Sequence, residues 1–143
     1  MTFLEIDLKK LEYNYFSLKE RLSPNSNIIG VIKANAYGSV APSIAEKLVG
    51  LGIEALAVAY AEEAVQLRQI GIKVPILVFY PQLENFNNII HHNLEPVLYS
   101  KRSWEKFAER VKEEKKAAYP IDIKYNTGLN RIGFHPDETN WVV

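Results

Sequence analysis

Short apolar segments typical of β-strands alternate along this chain with longer segments typical of amphipathic helices. Apolar side chains at helical spacing predict a first helix over residues 8–22, preceded by a short strand over residues 3–7. A β-branched run over residues 28–32 predicts a fully buried strand. Later strands are expected at 55–58, 76–79, 94–98 and 121–125, with helices at 42–51, 61–70, 83–92 and 100–116.

Strands separated by helices indicate βαβ units, and therefore an α/β fold with a parallel sheet. The βα unit recurs at roughly 20 to 25 residues, as an α/β barrel requires. A flavodoxin-like open sheet fits the same alternation. The sequence has no evident linker, so residues 1–143 are expected to form one unit.

Composition excludes several classes of protein. The 17 basic and 17 acidic side chains give a net charge of zero, which argues against a strongly basic nucleic-acid binder and against a disordered acidic tail. The absence of cysteine excludes disulfides, thiolate metal sites and cysteine nucleophiles. The acidic start and the lack of a long apolar run predict a cytoplasmic protein without a membrane partner. The adjacent His91 and His92 make a poor metal pair, and we expect no metal site.

The carboxyl ends of the predicted strands are where ligands bind in parallel α/β folds. Lys33 directly follows the first of these strands, at the rim of a dry core that favours a neutral, nucleophilic amine. An arbitrary lysine at a strand end is usually solvated. Here small residues, Tyr37 and Gly38 follow, which allow close approach of the backbone to a ligand and a phenol bond to phosphate. Tyr80 and Tyr99, also at strand ends, are candidates for the pocket wall.

Two segments resemble the motifs of one enzyme family. Residues 31–38 have the sequence Val-Ile-Lys-Ala-Asn-Ala-Tyr-Gly, similar to the pyridoxal-phosphate lysine motif of the alanine racemases. Residues 123–134 have the sequence Ile-Lys-Tyr-Asn-Thr-Gly-Leu-Asn-Arg-Ile-Gly-Phe, similar to that family's segment with the substrate-orienting arginine. The segments follow the family's order with the expected βα units between them, so the resemblance extends over nearly the whole chain.

The resemblance implies a pyridoxal 5'-phosphate cofactor and roles for four residues. Lys33 would form the internal aldimine and act as one of two racemisation bases, and Tyr37 would bond the cofactor phosphate. Arg131 would lie near the cofactor's phenolic oxygen and the substrate carboxylate, for which a planar guanidinium is well suited. Lys124 stands where some members carry a carbamylated lysine that orients the arginine, and the sequence leaves its carbamylation open.

The resemblance also implies a fold-type III enzyme, a homodimer that interconverts L-alanine and D-alanine for peptidoglycan precursors. Its TIM barrel takes about 250 residues, so residues 1–143 would be roughly the first half of a (β/α)8 barrel. The second half, and a C-terminal β domain that supplies a tyrosine base from the partner subunit, would be absent. We therefore expect the 143-residue chain to be inactive by itself.

Two segments depart from the family pattern. The lysine motif usually continues as Gly-His-Gly, whereas Ser39 and Val40 follow Gly38 here. The usual aspartate before Thr-Gly is Asn126, which removes a negative charge near Arg131. Both changes are expected to tune the site, because neither replaces a residue to which the resemblance gives a role.

Other functions remain open. A related serine racemase or an amino-acid decarboxylase has the same barrel class, and the Lys-Ala-Asn-Ala-Tyr-Gly segment favours the alanine enzymes over the decarboxylases. The sequence does not separate alanine from serine as substrate. A non-catalytic chain is the second class: either a cofactor-binding module without turnover, or a half-barrel that self-associates through its open strand edge and apolar surface.

Overall fold

The computed structural model describes residues 1–142 and confirms the alternation of strands and helices. The strands are β1 (Ile29–Val31), β2 (Ala55–Val58), β3 (Ile76–Val78), β4 (Glu95–Leu98) and β5 (Asp122–Ile123). The helices are α1 (Leu8–Lys19), α2 (Lys33–Tyr37), α3 (Ala41–Gly50), α4 (Ala61–Gln69), α5 (Phe86–His91), α6 (Lys101–Glu113) and α7 (Thr139–Val142). Single 3-10 turns occupy Leu83–Asn85 and Pro136–Glu138. Val143, the last residue of the expected unit, lies outside the described residues.

The five strands form one parallel sheet in the order β1-β2-β3-β4-β5. Each strand therefore lies beside its neighbour in sequence, which is the arrangement of an α/β barrel. A flavodoxin-like sheet would have the order 2-1-3-4-5 and helices on both faces. The observed order excludes that alternative and confirms the α/β fold with parallel strands.

The two faces of the sheet bury different side chains, because successive residues of a strand point to opposite faces. The helix-facing side joins the main core, which contains Leu56, Val58, Ile76, Val78 and Leu98 together with buried residues of the helices. The inner face carries a smaller cluster of Ala55, Ala57, Leu77 and Val97, with Phe79 packed against it. All the large helices thus cover one face, as they do around a barrel.

The prediction that the first strand is fully buried is wrong. Ile29 is 48% exposed and Val31 is 39% exposed, whereas Ile32, directly after the strand, is buried. The register pairs Ile29 with Ala55 and Val31 with Ala57, so both side chains belong to the inner face. β1 is the edge strand of the described sheet and has a neighbour on one side only, which leaves these side chains open to solvent.

The predicted strand over residues 3–7 is also wrong. In the part of the chain that the structure describes, this segment pairs with no strand, and Phe3 and Leu4 are exposed. Asp7 instead caps α1: its Oδ1 accepts from the backbone N–H groups of Lys9 at 2.9 Å and Lys10 at 3.2 Å. Ser100 caps α6, because its Oγ accepts from the backbone N–H of Ser103 at 3.2 Å.

Candidate active site

A cavity of about 410 Å³ opens at the edge of the sheet where the strands end. Its walls come from the segments that follow β1, β2, β3 and β5: Lys33, Ala59, Tyr60, Phe79, Tyr80, Arg131 and Ile132. Lys33 is half-buried and Arg131 is exposed. The cavity therefore combines an amine and a guanidinium with aromatic side chains.

The meeting of Lys33 and Arg131 depends on the curvature of the sheet. The two residues follow β1 and β5, which are the two outer strands of the described sheet. In a flat sheet, four inter-strand steps of about 4.8 Å would hold these strands about 19 Å apart. Because the sheet curves as in a barrel, and because Arg131 lies on a loop, both side chains line one cavity.

The backbone directly after Lys33 forms a left-handed helical turn. Ala34, Asn35, Ala36 and Tyr37 have φ values between 51° and 55°, and Gly38 ends the turn at φ 86°. For residues other than glycine, left-handed helical conformation costs roughly 1–2 kcal/mol each. Contacts with other parts of the fold must therefore hold this segment.

Two side-chain contacts hold the turn. Oε1 of Glu63, on α4, accepts from the backbone N–H of Ala34 at 2.6 Å. Oδ1 of Asn35 accepts from the backbone N–H of Ala41 at 2.8 Å, which joins the turn to the start of α3. Ala36 is buried in the main core. The small side chains that were predicted to admit a ligand therefore also allow the turn to pack closely against the core.

The Arg131 loop is organised by Asn126. Oδ1 of Asn126 accepts from the backbone N–H groups of Gly128 at 3.2 Å and Asn130 at 3.0 Å, and its Nδ2 donates to Oδ1 of Asn130 at 2.8 Å. The base of the loop is closed by a backbone bond from the N–H of Asn126 to the carbonyl of Phe134 at 2.8 Å. The residue that replaces the family's aspartate thus shapes the loop that presents Arg131.

Three tyrosines form an aromatic wall at the ends of β2, β3 and β4. The ring of Tyr80 stacks on that of Tyr99, with centroids 5.3 Å apart and planes at 8°. Tyr60 meets Tyr80 edge-on, with centroids 5.9 Å apart. Burial raises the pKa of Tyr99, and the adjacent Tyr80 raises it further. Tyr80 lines the cavity as the sequence suggested, whereas Tyr99 lies outside the lining and stacks on Tyr80.

Tyr37 and Lys124 lie outside the lining of the cavity. Tyr37 stands on the left-handed turn with 67% of its surface exposed. Lys124 is half-buried at the base of the Arg131 loop: its N–H donates to the carbonyl of Leu98 at 2.9 Å, and its carbonyl accepts from the N–H of Phe134 at 2.8 Å. The structure thus brings Lys33 and Arg131 together and places Lys124 below Arg131's loop.

Two carboxylates occupy the inner face of the sheet. Glu95 pairs with Leu77 and Asp122 pairs with Val97, so both belong to the face that carries the smaller apolar cluster. Burial raises the pKa of Asp122, and burial together with the charge of Asp122 raises that of Glu95. Folding therefore makes the charged form of each group less favourable than it is in the unfolded chain.

Residues 6–143 match the family model described as the N-terminal domain of alanine racemase. The chain belongs to the alanine racemase family. An alanine racemase of Sorangium cellulosum is 36% identical over 148 residues, with 99% of this chain and 39% of that protein covered. Alanine racemase 1 of Clostridium acetobutylicum is 40% identical over 141 residues, with 97% of this chain and 36% of that protein covered.

Solved alanine racemase structures share the fold. The enzyme of Clostridium difficile 630 in complex with cycloserine has a TM-score of 0.87 and 36% identity, covering 92% of this chain and 36% of that one. The enzyme of E. faecalis has a TM-score of 0.88 and 28% identity, covering 95% of this chain and 37% of that one. The chain thus spans little more than a third of these racemases, and its sheet corresponds to part of their TIM barrel.

Sequence reasoning missed several residues of the cavity region. Ala59, Tyr60 and Phe79 are cavity walls that no motif indicated, and Ile132 lies within the second motif but had no role assigned to it. Glu63 was missed as well, although an acidic residue shortly after a strand and in the first turn of a helix is a known capping signal. That signal predicts the position of Glu63 beside the end of β2, but it does not predict the contact with Ala34.

The described residues also bear on two other kinds of site. No helix within residues 1–142 combines the length and the apolar character needed to cross a bilayer. Over the same residues, no three histidine, cysteine or acidic side chains gather closely enough to hold a metal ion.

Proposed function

We propose that the chain carries the cofactor lysine and the substrate-orienting arginine of a pyridoxal-phosphate-dependent alanine racemase. The observation that carries this proposal is the shared cavity of Lys33 and Arg131 at the carboxyl edge of the sheet. Family membership supports the reaction class, and the position of the cavity is the one that α/β barrels use for catalysis.

The residues present suit pyridoxal 5'-phosphate. The cavity's volume of about 410 Å³ is in the range of small-molecule sites, which is about 300 to 1,000 Å³. Phe79, Tyr60 and Tyr80 offer aromatic surface to a flat ring, while Lys33 and Arg131 offer positive charge to its anionic groups. The cavity therefore offers both an amine for covalent attachment and a guanidinium group whose paired N–H donors can bind a carboxylate.

Each residue then has a defined task. The cofactor, when bound, supplies the electron-accepting ring that makes the α-proton of an amino acid acidic. Nζ of Lys33 would hold the cofactor until the amino group of the substrate takes its place, and the freed amine would then exchange a proton with the α-carbon on one face. Arg131 binds the carboxylate of alanine, and the hydroxyl group of Tyr37 donates a hydrogen bond to a phosphate oxygen. Lys124, at the base of the Arg131 loop, would orient Arg131 if it is carbamylated as in some members of the family.

Racemisation also needs a base on the opposite face of the α-carbon. We infer that this base comes from a part of a cytoplasmic homodimer beyond these 143 residues, as in the family. The same parts of the homodimer would complete the cavity. The 143-residue chain is accordingly expected to take up cofactor and to leave L-alanine unconverted. The choice of alanine over serine is part of the same proposal.

Covalent labelling tests the assignment of Lys33. The chain is incubated with pyridoxal phosphate, reduced with borohydride and digested, and the labelled lysine is identified by mass spectrometry. We expect the label on Lys33 and its loss in Lys33→Ala, with Lys112→Ala, on the exposed side of α6, as the matched control. Label spread over surface lysines, with none on Lys33, contradicts the assignment of Lys33. Conversion of L-alanine by the purified 143-residue chain contradicts the placement of the second base outside these residues.

A non-catalytic, self-associating chain is the second candidate. The observation in its favour is the apolar inner face, where Ile29 and Val31 of the edge strand are 48% and 39% exposed. Sedimentation velocity distinguishes the two candidates when it is combined with labelling. A dimer that takes no label on Lys33 favours self-association alone, whereas a labelled chain of either mass favours the racemase proposal.

A further inference from the structure

Glu63 binds two separate segments of the cavity edge with one carboxylate. Its Oε1 accepts from the backbone N–H of Ala34 at 2.6 Å. Its Oε2 accepts from the backbone N–H groups of Ala59 at 2.8 Å and Tyr60 at 3.1 Å. One oxygen thus serves the segment after β1, and the other serves the segment after β2.

The bonds from Ala59 and Tyr60 have an ordinary explanation. Both residues directly precede α4, and Glu63 lies in its first turn, so these bonds cap the helix to which Glu63 belongs. A carboxylate is also favourable at a helix N terminus because the helix dipole is positive there. The bond from Ala34 is different, because it joins α4 to a turn 29 residues earlier in the chain.

The Ala34 bond acts on Lys33. The N–H of Ala34 belongs to the peptide group that links Lys33 to Ala34, so fixing that group restricts ψ of Lys33 and the direction of its side chain. Ala34 is also the first residue of the left-handed turn, with φ 51° and ψ 50°. A short bond to a charged acceptor is among the stronger hydrogen bonds in proteins. The bond to Glu63 therefore offsets the cost of the left-handed conformation at Ala34.

We propose that Glu63 is a positioning residue for Lys33: by holding the Lys33–Ala34 peptide against α4, it directs the lysine amine into the cavity. The same carboxylate fixes Ala59 and Tyr60, so it sets the spacing between two walls of a cavity that it does not itself line. This inference rests on the proposed function, since it gives Lys33 the task of holding the cofactor.

The variant Glu63→Gln separates positioning from helix capping. A glutamine side chain has one acceptor oxygen, and its NH2 group cannot accept a bond from the other N–H. Its single acceptor oxygen stays with the N–H groups of Ala59 and Tyr60, which lie within four residues of it at the start of its own helix, and the N–H of Ala34 is left unpaired. Glu62→Gln is the matched control, because it removes the same charge from the same helical turn while its carboxylate contacts Asn85 instead.

Two measurements are made on the 143-residue chain. Amide hydrogen exchange at Ala34 in cofactor-free protein reports the hydrogen bond itself. The rate of covalent labelling of Lys33 by pyridoxal phosphate and borohydride reports how well its amine is positioned to react. In Glu63→Gln we expect Ala34 exchange to rise and Lys33 labelling to slow, each about tenfold or more, with Glu62→Gln close to the unmodified chain.

A rescue variant completes the test. Glycine adopts the left-handed conformation without the penalty of a Cβ atom, so Ala34→Gly in the Glu63→Gln background should recover part of the labelling rate. A role limited to capping α4 would not respond to a change at position 34. Far-UV circular dichroism of each variant confirms that the fold is intact, and Ala34→Gly alone serves as the reference.

The outcomes are distinct. The proposal is overturned if Glu63→Gln matches Glu62→Gln in both measurements, or if its only effect is faster exchange at the start of α4. Failure of the unmodified chain to label at Lys33 contradicts the proposed function instead. In that case hydrogen exchange at Ala34 still decides whether Glu63 holds the turn.

Discussion

A Cβ atom built on Gly133 would lie 2.7 Å from the backbone nitrogen of Asn126. The same atom would lie 2.7 Å from the carbonyl carbon of Tyr125, and the φ of Gly133 is 128°, a conformation that other residues rarely adopt. The two strands of the Arg131 loop therefore meet at a position that accepts only glycine. This contact adjoins the bond from the Asn126 N–H to the Phe134 carbonyl that closes the loop.

Gly133→Ala should open the base of this loop. We expect a loss of roughly 1–3 kcal/mol in the free energy of unfolding, from strain and from the broken closing bond, measured by urea denaturation. Gly128→Ala is the control, since Gly128 also has positive φ, 123°, but a Cβ there meets nothing within 4 Å. Equal losses in the two variants would show that backbone conformation, and not the close approach, makes Gly133 necessary.

Val40→Gly should stabilise the chain. Val40 has φ 64°, in the left-handed region, where a β-branched residue is strained by roughly 1–2 kcal/mol. The family pattern has glycine at this position, and the greater freedom of glycine in the unfolded chain offsets about 0.5–1 kcal/mol of the gain. A rise in the urea midpoint is therefore expected. Ser39→Gly, at a neighbour without positive φ, should lower it.

Asn126→Ala should loosen the loop that presents Arg131. The substitution removes two acceptor bonds from backbone N–H groups and one donor bond to Asn130, so amide exchange across residues 126–134 should quicken about tenfold. Asn126→Asp, which restores the family's residue, keeps both acceptor bonds and should exchange much more slowly than the alanine variant. Asn87→Ala, at an exposed position of α5, is the control. Similar exchange in all three variants would contradict the role of the Asn126 side chain.

The inner-face carboxylates predict a fall in stability toward neutral pH. The pKa values of Asp122 and Glu95 are raised above their ordinary values of 3.8 and 4.5, so the native state holds protons that the unfolded chain has already released. Where the native state binds more protons, the free energy of unfolding falls as the pH rises. Their contribution is thus most favourable below the ordinary pKa values and is lost as the pH rises through the raised ones.

Asp122→Asn should therefore raise stability at neutral pH. It removes a partly desolvated charge and its repulsion of Glu95, and the gain should vanish in acid, where Asp122 is protonated in both states. Urea denaturation at neutral and acid pH measures this difference. Asp137→Asn is the control, because the side chain of Asp137 is 77% exposed. Lower stability of Asp122→Asn at neutral pH would contradict the assignment of a desolvation penalty.

Much of the fold was predictable because periodicity in the sequence reflects burial. The helix that ends near Gly52 and the strand over residues 55–58 were predicted within one or two residues, since each buries a regular set of apolar side chains. The strand β1 was predicted, but its burial was mispredicted because a β-branched run looks the same in a central strand and in an edge strand. Only the strand order shows that Ile29 and Val31 lack neighbours on one side.

The site was less predictable than the fold. The Lys33 and Arg131 motifs could be found by resemblance, but their common cavity depends on the curvature of five strands. The left-handed turn gave no local signal, because Ala34, Asn35 and Ala36 have no intrinsic preference for it strong enough to outweigh its cost. It is imposed by distant partners such as Glu63, and a tertiary contact of this kind leaves no periodic pattern in the sequence.

The order of the strands also determines when the cavity can form. Each strand pairs with the one before it, so β1 to β4 can assemble in succession as the chain leaves the ribosome, without waiting for distant segments. Lys33 follows the first of the five strands and Arg131 follows the fifth. A nascent chain can therefore complete the wall that Lys33 and Arg131 share only after β5 has joined the sheet, however early β1 is folded.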